Sequence, residues 1–300
     1  MESISKILHH AKNKFVALGI ETAQLDAEVL LAHALDVRRE WLAAHPEQIL
    51  LGNSLKIYMS MVKRRINREP VAYIIGKKEF YGRDFIVTPE VLIPRPDTED
   101  LIDLCLKYSK ETADIQNPYL EKLEKGEPFT DENSTDCRIV DVGTGSGCVG
   151  ITLKLEIPEA TVVLTDISTA ALAIARKNAE NLDADVMIVE SDLLDKYSKT
   201  QNAKSKIHFD LIVANLPYVD KSWEVSPETI YEPQLALFAE DDGLVLIKKL
   251  ICQSKYLLKP GGILALEADP EQHSSIAKYA NQYRLKQVDN KGYALVFELE

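Results

Sequence analysis

Asn215-Leu216-Pro217-Tyr218 follows directly on an apolar run, Phe209-Asp210-Leu211-Ile212-Val213-Ala214. Such a tetrapeptide can hold a planar nitrogen group. The Asn215 side-chain oxygen and the main-chain carbonyl of Leu216 can each accept one N–H, and Tyr218 can stack on the flat face. An amide nitrogen is a poor nucleophile, because its lone pair is delocalised into the carbonyl; the same resonance sets a rotation barrier of about 18–20 kcal/mol. Two acceptors on its two donors aim the nitrogen and offset positive charge as a new bond forms. No strong general base is required if the proton leaves after that bond forms, and none is evident nearby in the sequence. The competing reading is a plain turn after a strand, since Asn and Pro are common turn formers.

A second group could bind a nucleotide-like ligand. Arg138-Ile139-Val140-Asp141-Val142 runs into Gly143-Thr144-Gly145-Ser146-Gly147, where backbone can approach a ligand closely and a following helix offers free N–H groups. Gly145-Ser146-Gly147-Cys148-Val149-Gly150 also satisfies the dinucleotide pattern, so a nicotinamide-dependent dehydrogenase is one reading. Asp166, 19 residues after Gly147, can accept hydrogen bonds from ribose hydroxyls; otherwise it only caps the next helix, as Ser168 or Thr169 could. Asp192 ends a third strand and can reach an adenine amino group. On these residues alone the cofactor class stays open.

Strand and helix patterns alternate from Arg138 onward. Strands are expected at 138–142, 161–166, 186–190, 209–214, 262–267, 285–289 and 293–299, and helices at 147–156, 169–181, 243–257 and 273–281. This predicts an α/β fold with a doubly wound, mostly parallel seven-stranded sheet, its last two strands pairing antiparallel. Residues 1–68 read as a small helical bundle, with Ile4, Ile7, Leu8, Ala11, Phe15 and Leu18 at helical spacing and Thr22 capping the second helix. Pro70 is expected to end the helices. Tyr73-Ile74-Ile75, Gly76 and Glu79 to Val87 then read as two strands around a turn, a hairpin linker over 69–90 before a domain at 91–300. In Leu92-Ile93-Pro94-Arg95-Pro96-Asp97-Thr98-Glu99 two prolines impose an extended loop, after which Asp97 or Thr98 caps a helix through Lys107. Residues 108–136 lack periodicity and read as a flexible insertion.

The formal charge is −12, which disfavours a nucleic-acid backbone as partner and favours a small molecule or a protein. Lys63-Arg64-Arg65 lies on a helical pattern and reads as a solvated face. Four cysteines stand far apart and histidines show no ligand spacing, so neither disulfides nor a metal are expected. The first 37 residues hold no arginine and no apolar signal core, and no run of 18 apolar residues occurs. A cytoplasmic protein without a membrane span is expected.

The tetrapeptide resembles the Asn-Pro-Pro-Tyr motif of methyltransferases that modify planar nitrogens. Almost the whole chain is similar to the protein-(glutamine-N5) methyltransferases of the PrmC/HemK type. The similarity runs through Arg68-Glu69-Pro70-Val71-Ala72-Tyr73-Ile74-Ile75-Gly76, Phe80-Tyr81-Gly82 and Val91 to Glu99, then Tyr231-Glu232-Pro233-Gln234-Leu235-Ala236-Leu237-Phe238, Asp242-Gly243 and Leu258-Lys259-Pro260-Gly261-Gly262. The resemblance implies a class I, Rossmann-like methyltransferase that uses S-adenosylmethionine on the glutamine of the Gly-Gly-Gln loop in peptide-chain release factors. It implies cofactor contacts from Asp141, Gly143, Thr144, Gly145, Ser146, Gly147, Asp166, Ile167, Asp192, Leu193 and Asn215. Substrate contacts would come from Asn215, Leu216, Pro217, Tyr218 and Arg95, in a monomer that binds no nucleic acid directly. The chain departs from the family at Leu216, where Pro is usual, and at Leu266-Glu267-Ala268-Asp269-Pro270-Glu271-Gln272, where Leu-Glu-Ile-Gly is usual. Leu216 keeps the carbonyl, but its free N–H predicts a looser Asn215. The alternatives are an adenine-N6 methyltransferase on DNA or RNA, which would have to extrude its base, the dehydrogenase, and an inactive binding protein.

Overall fold

The computed structural model describes residues 2–114, 137–198 and 208–300. Two compact units are present: Met1–Lys77 with Val87–Pro89 and Val225–Tyr231, and Lys78–Ile86 with Glu90–Glu224 and Glu232–Glu300.

The first unit packs α1 (Ile4–Ala17), α2 (Ala23–Leu35), α3 (Arg39–Ala44) and α4 (Asn53–Ile66) around Ile4, Ile7, Ala11, Phe15, Leu30, Leu31, Tyr58 and Val62. Thr22 stands at the start of α2 but makes no side-chain cap. A short pair, β1 (Glu2–Ser3) antiparallel to β2 (Ile49–Leu50), has no signal in the sequence beyond two exposed-and-buried dipeptides. Pro70 does not end the helical region. It precedes α5 (Val71–Ile75), so Tyr73, Ile74 and Ile75 are helical and not a strand. Proline suits a helix start, where its missing N–H is not needed. Arg64 donates to the carbonyls of Tyr73 (3.3 Å) and Ile74 (3.2 Å), and Gly76 closes the turn at φ 79. The hairpin starts later, as β3 (Lys77–Phe80) and β4 (Arg83–Ile86), joined by Tyr81-Gly82 at φ 49 and 74. Two positive φ values make the tight turn whose twist suits a hairpin.

Arg65 is not on a solvated face. Its side chain is buried, with Nε donating to Asp26 Oδ2 (2.7 Å) and Nη1 to Glu228 Oε1 (3.1 Å). Arg68 reaches the same Glu228 oxygen at 3.0 Å, and the Tyr231 hydroxyl donates to the Asn67 carbonyl at 2.6 Å. Burial works to raise the Glu228 carboxyl, but Ser226, Arg68 and Arg65 outweigh it and hold it at about 2. A depressed folded value stabilises the unit above the ordinary glutamate value of about 4.3, and that share is lost as pH falls towards the folded value. The stability gap between the natural chain and Glu228→Gln is therefore expected to be full at pH 5 and to shrink below pH ~4. Urea unfolding at several pH values measures it.

In the second unit α6 (Thr98–Asp114) is longer than expected. Residues 108–114 continue the helix, and 115–136, the rest of the expected insertion, lies outside the described residues. The chain then runs β5 (Arg138–Val142), α7 (Cys148–Glu156), β6 (Thr161–Asp166), α8 (Thr169–Asn181), β7 (Met187–Glu190), α9 (Asp195–Ser198), β8 (Phe209–Ala214) and β9 (Val219–Asp220). It continues α10 (Gln234–Leu237), β10 (Phe238–Ala239), α11 (Val245–Leu257), β11 (Leu258–Glu267), α12 (His273–Asn281), β12 (Leu285–Lys291) and β13 (Ala294–Leu299). The seven-stranded sheet has the order β12-β13-β11-β8-β5-β6-β7, and β13 is antiparallel to both neighbours. This is the doubly wound α/β fold.

Alternate residues sort to two covered faces. Val140, Val142, Ile212, Leu264 and Leu266 pack with α11 on one side; Ile139, Leu211, Val213, Ile263 and Ala265 pack with α6 and α7 on the other. Burial on both faces explains the unbroken apolar runs. The chain winds outward from β5 through β6 and β7, then returns to β8 on the other side of β5. The loops leaving β5 and β8 thus flank the switch in strand order, where such sheets bind ligands.

Candidate active site

One cavity of about 250 Å³ opens at this switch point. The β5 loop supplies Gly143, Thr144, Gly145 and Ser146; the ends of β6 and β7 supply Asp166, Ile167, Asp192 and Leu193; the β8 end supplies Asn215, Leu216 and Pro217. Asp141 and Arg95 also line it, whereas Gly147 and Tyr218 do not.

Asp141 is fully buried beneath the glycine loop. Its Oδ2 accepts from Thr144 Oγ1 (2.5 Å) and from the Gly150 N–H (2.9 Å), while burial pushes its carboxyl up to about 6. Asp166 joins the loop to the next helix, accepting the N–H groups of Gly145 (2.9 Å) and Ser168 (2.8 Å). Ser168, not Asp166, caps α8 through the Ala171 N–H. Asp192 is held by Lys249 at 2.6 Å. Leu193 has φ 49, a conformation that disfavours a branched side chain and that tends to persist at ligand sites.

The sequence reading missed Asn178. Its buried amide donates to the Ser146 carbonyl (2.8 Å) and the Ile86 carbonyl (3.0 Å) and accepts from the Ile86 N–H (2.7 Å), which ties the glycine loop to β4. Glu232 was missed as well. Its buried carboxylate takes Arg95 Nη2 at 2.6 Å and the Ile93 N–H at 3.2 Å, so the double-proline loop is latched beside the cavity. Arg95 therefore reaches the cavity as half of an ion pair.

Asn215 Nδ2 donates to Thr98 Oγ1 at 3.1 Å, which leaves the side-chain oxygen for another donor. Tyr218 is held from three directions. Its hydroxyl donates to Glu267 Oε1 (3.2 Å), its carbonyl accepts from Gln272 Nε2 (2.9 Å), and Gly243 lies so close that an added Cβ would stand 2.0 Å from the carbonyl oxygen. Burial and the neighbouring Glu267 push the Tyr218 hydroxyl up, so it remains a donor. Burial likewise raises the Glu267 carboxyl, against Thr98, Tyr218 and Asn215, which favour its charged form. A signal for Glu267 lies in strand register: Leu266 pairs with Ala214, so Glu267 and Asn215 follow on neighbouring strands.

Leu216 is packed inward. Its side chain is 3% exposed, sits in the core with Val142, Ala214 and Leu266, and presses on Gly143, where a Cβ would meet it at 2.8 Å. Buried methyl groups restrain the loop here where a ring would do so in proline. Leu216→Ala is expected to cost about 2–5 kcal/mol, the usual range for emptying a buried leucine site; chemical denaturation measures it.

The lining is rich in carboxyl groups. Glu90, Asp141, Asp166 and Asp192 line the cavity, with Arg95 the one lining cation among the described residues; Glu232 engages Arg95 and Lys249 engages Asp192. A dinucleotide's two phosphates would face this acidic lining. A ligand with a sulfonium and an ammonium group suits it, and the acids ending β6 and β7 suit its hydroxyl and amino groups.

Residues 6–76 match the family described as PrmC N-terminal domain, and residues 120–232 match the methyltransferase small domain. A bifunctional methyltransferase of Rickettsia felis is 36% identical over 98% of this chain and 57% of its own length. A release factor glutamine methyltransferase of Koribacter versatilis is 37% identical over 85% of this chain and 84% of its own. Another, from Nitratidesulfovibrio vulgaris, is 33% identical over 94% and 87%. The chain spans about half the length of the Rickettsia relatives.

Proposed function

We propose that this chain, which belongs to the release factor glutamine methyltransferase family, transfers a methyl group from S-adenosylmethionine to the side-chain amide nitrogen of the Gly-Gly-Gln glutamine in peptide-chain release factors. The observation that carries the reading is Asn215 at the switch point, its Nδ2 fixed on Thr98 and its oxygen left to accept. S-adenosylmethionine, when bound, supplies an electrophilic methyl group. The chain does the rest.

Asn215 Oδ1 and the Leu216 carbonyl accept the two N–H groups of the glutamine amide and orient its nitrogen. As the N–C bond forms and the C–S bond breaks, the nitrogen becomes cationic, and both acceptors gain strength against that charge. The proton then leaves the nitrogen to solvent water, and S-adenosylhomocysteine is the other product. Asp166 and Asp192 would hold the cofactor's ribose and adenine ends, and Arg95 would face the entering glutamine loop as part of its pair with Glu232. A cytoplasmic monomer that acts on a protein and not on a nucleic acid belongs to the same reading, supported by the formal charge of −12.

Purified chain, labelled S-adenosylmethionine and intact release factor form the test. Mass spectrometry is expected to place one methyl group on the Gly-Gly-Gln glutamine. Label on DNA or RNA with none on the factor overturns the substrate. Binding of a nicotinamide dinucleotide, without binding of S-adenosylhomocysteine, overturns the cofactor.

A further inference from the structure

Glu267 ends β11 beside Asn215, and its residue is 2% exposed. Burying a carboxylate is costly unless a cation or several donors compensate. Among the described residues no Lys or Arg pairs with it, and its Oε2 has no hydrogen-bond partner. The groups around it are neutral donors or acids. Tyr218 donates to Oε1, Thr98 and Asn215 favour its charged form, and Asp97 opposes it. A carboxylate placed so would be a poor choice for holding a strand end. Replacing it by a neutral group of the same shape removes an uncompensated buried charge.

Its neighbours suggest another role. Tyr218, the last residue of the tetrapeptide, donates to this carboxylate, and Asn215, the first, stands beside it in strand register. We propose that Glu267 is a positioning residue for methyl transfer: it anchors Tyr218 and sets a buried negative charge beside Asn215, behind the acceptor that faces the glutamine nitrogen. Negative charge at the Nδ2 end of the Asn215 amide polarises the group and strengthens its oxygen as an acceptor. That gain is largest when the nitrogen is cationic, so it acts on the transition state more than on bound substrate. Thr98 completes the arrangement by engaging Nδ2, so that the side-chain oxygen is the end of the amide left for another donor.

The inference rests on the methyl-transfer reading, and Glu267→Gln separates the two. This variant keeps the side-chain shape, and its melting temperature is expected to equal or exceed that of the natural chain. Affinity for S-adenosylhomocysteine, by calorimetry, should hold. With release factor as substrate, kcat is expected to fall by about 10², with KM near its original value. Tyr218→Phe, which removes only the hydroxyl, should lose less. A second readout needs no turnover: the Asn215 side-chain amide resonance in a ¹⁵N spectrum should shift in Glu267→Gln. A folded Glu267→Gln with unchanged kcat, or an unmoved Asn215 resonance, overturns the proposal. A natural chain that leaves release factor unlabelled overturns the substrate reading alone, and the Asn215 resonance still decides the role of Glu267.

Discussion

Asn215→Ala is expected to slow methyl transfer by roughly 10²–10³, the usual loss when one transition-state acceptor is removed. The fold should barely notice. Asn215 is only half-buried, and Thr98 Oγ1, which loses one donor, keeps its own hydroxyl proton to donate. The loss should fall on kcat more than on KM, because the interaction strengthens as the nitrogen gains charge. Asparagine to aspartate would be a poorer test. It would set a second carboxylate beside Glu267, and like charges at that range perturb each other's ionisation. Steady-state kinetics with release factor, alongside S-adenosylhomocysteine binding, checks the expectation. An unchanged kcat would remove Asn215 from the chemistry.

Gly243→Ala is the second large effect, and it acts from 25 residues beyond Tyr218 in sequence. The glycine has φ 81, and a Cβ there would lie 2.0 Å from the Tyr218 carbonyl oxygen and 2.6 Å from Gln272 Nε2. The near obstacle is backbone, which cannot rotate aside. The tetrapeptide must therefore shift by on the order of 1 Å, a displacement that can cost about 10² in rate. Left-handed backbone at an alanine adds roughly 1–2 kcal/mol of strain. Gln272→Ala gives the control. It loses the hydrogen bonds to the carbonyls of Tyr218 and Asp242 without any collision, so its activity should exceed that of Gly243→Ala. Equal activities would mean that hydrogen bonding, not space, sets the position of Tyr218.

The sheet was legible because its signals are local. Apolar runs buried on both faces, separated by amphipathic stretches, announce a parallel sheet without knowledge of partners. The glycine loop and Asn215 could be placed because both follow strands. What stayed hidden depends on residues far apart in sequence. Arg65 looks like a surface charge until Asp26 and Glu228 are seen beside it, 39 and 163 residues away. Tyr73 to Ile75 have the composition of a strand, and the Arg64 side chain that caps their carbonyls makes them a helix. Glu267 was visible as part of a family segment, but its neighbours lie in the loop after β8 and at the start of α6. Leu216 reads in the sequence as a missing proline ring, and the burial of its side chain depends on core residues from other strands.

The segment Val225–Tyr231 packs with the first unit although it is made much later. Glu228 reaches Arg65 across 163 residues, an interval of about 8–30 s at 5–20 residues per second of synthesis. During that interval the helices α1 to α4 are complete, but the Arg65 and Arg68 contacts to Glu228 cannot exist. Helical contacts close early because they are local, whereas this one waits for a distant part of the chain. A nascent or truncated product ending before residue 225 would thus carry an unfinished first unit. Its unfolding would be easier than that of the same helices in the full chain, which gives proteases a physical basis for telling the two apart.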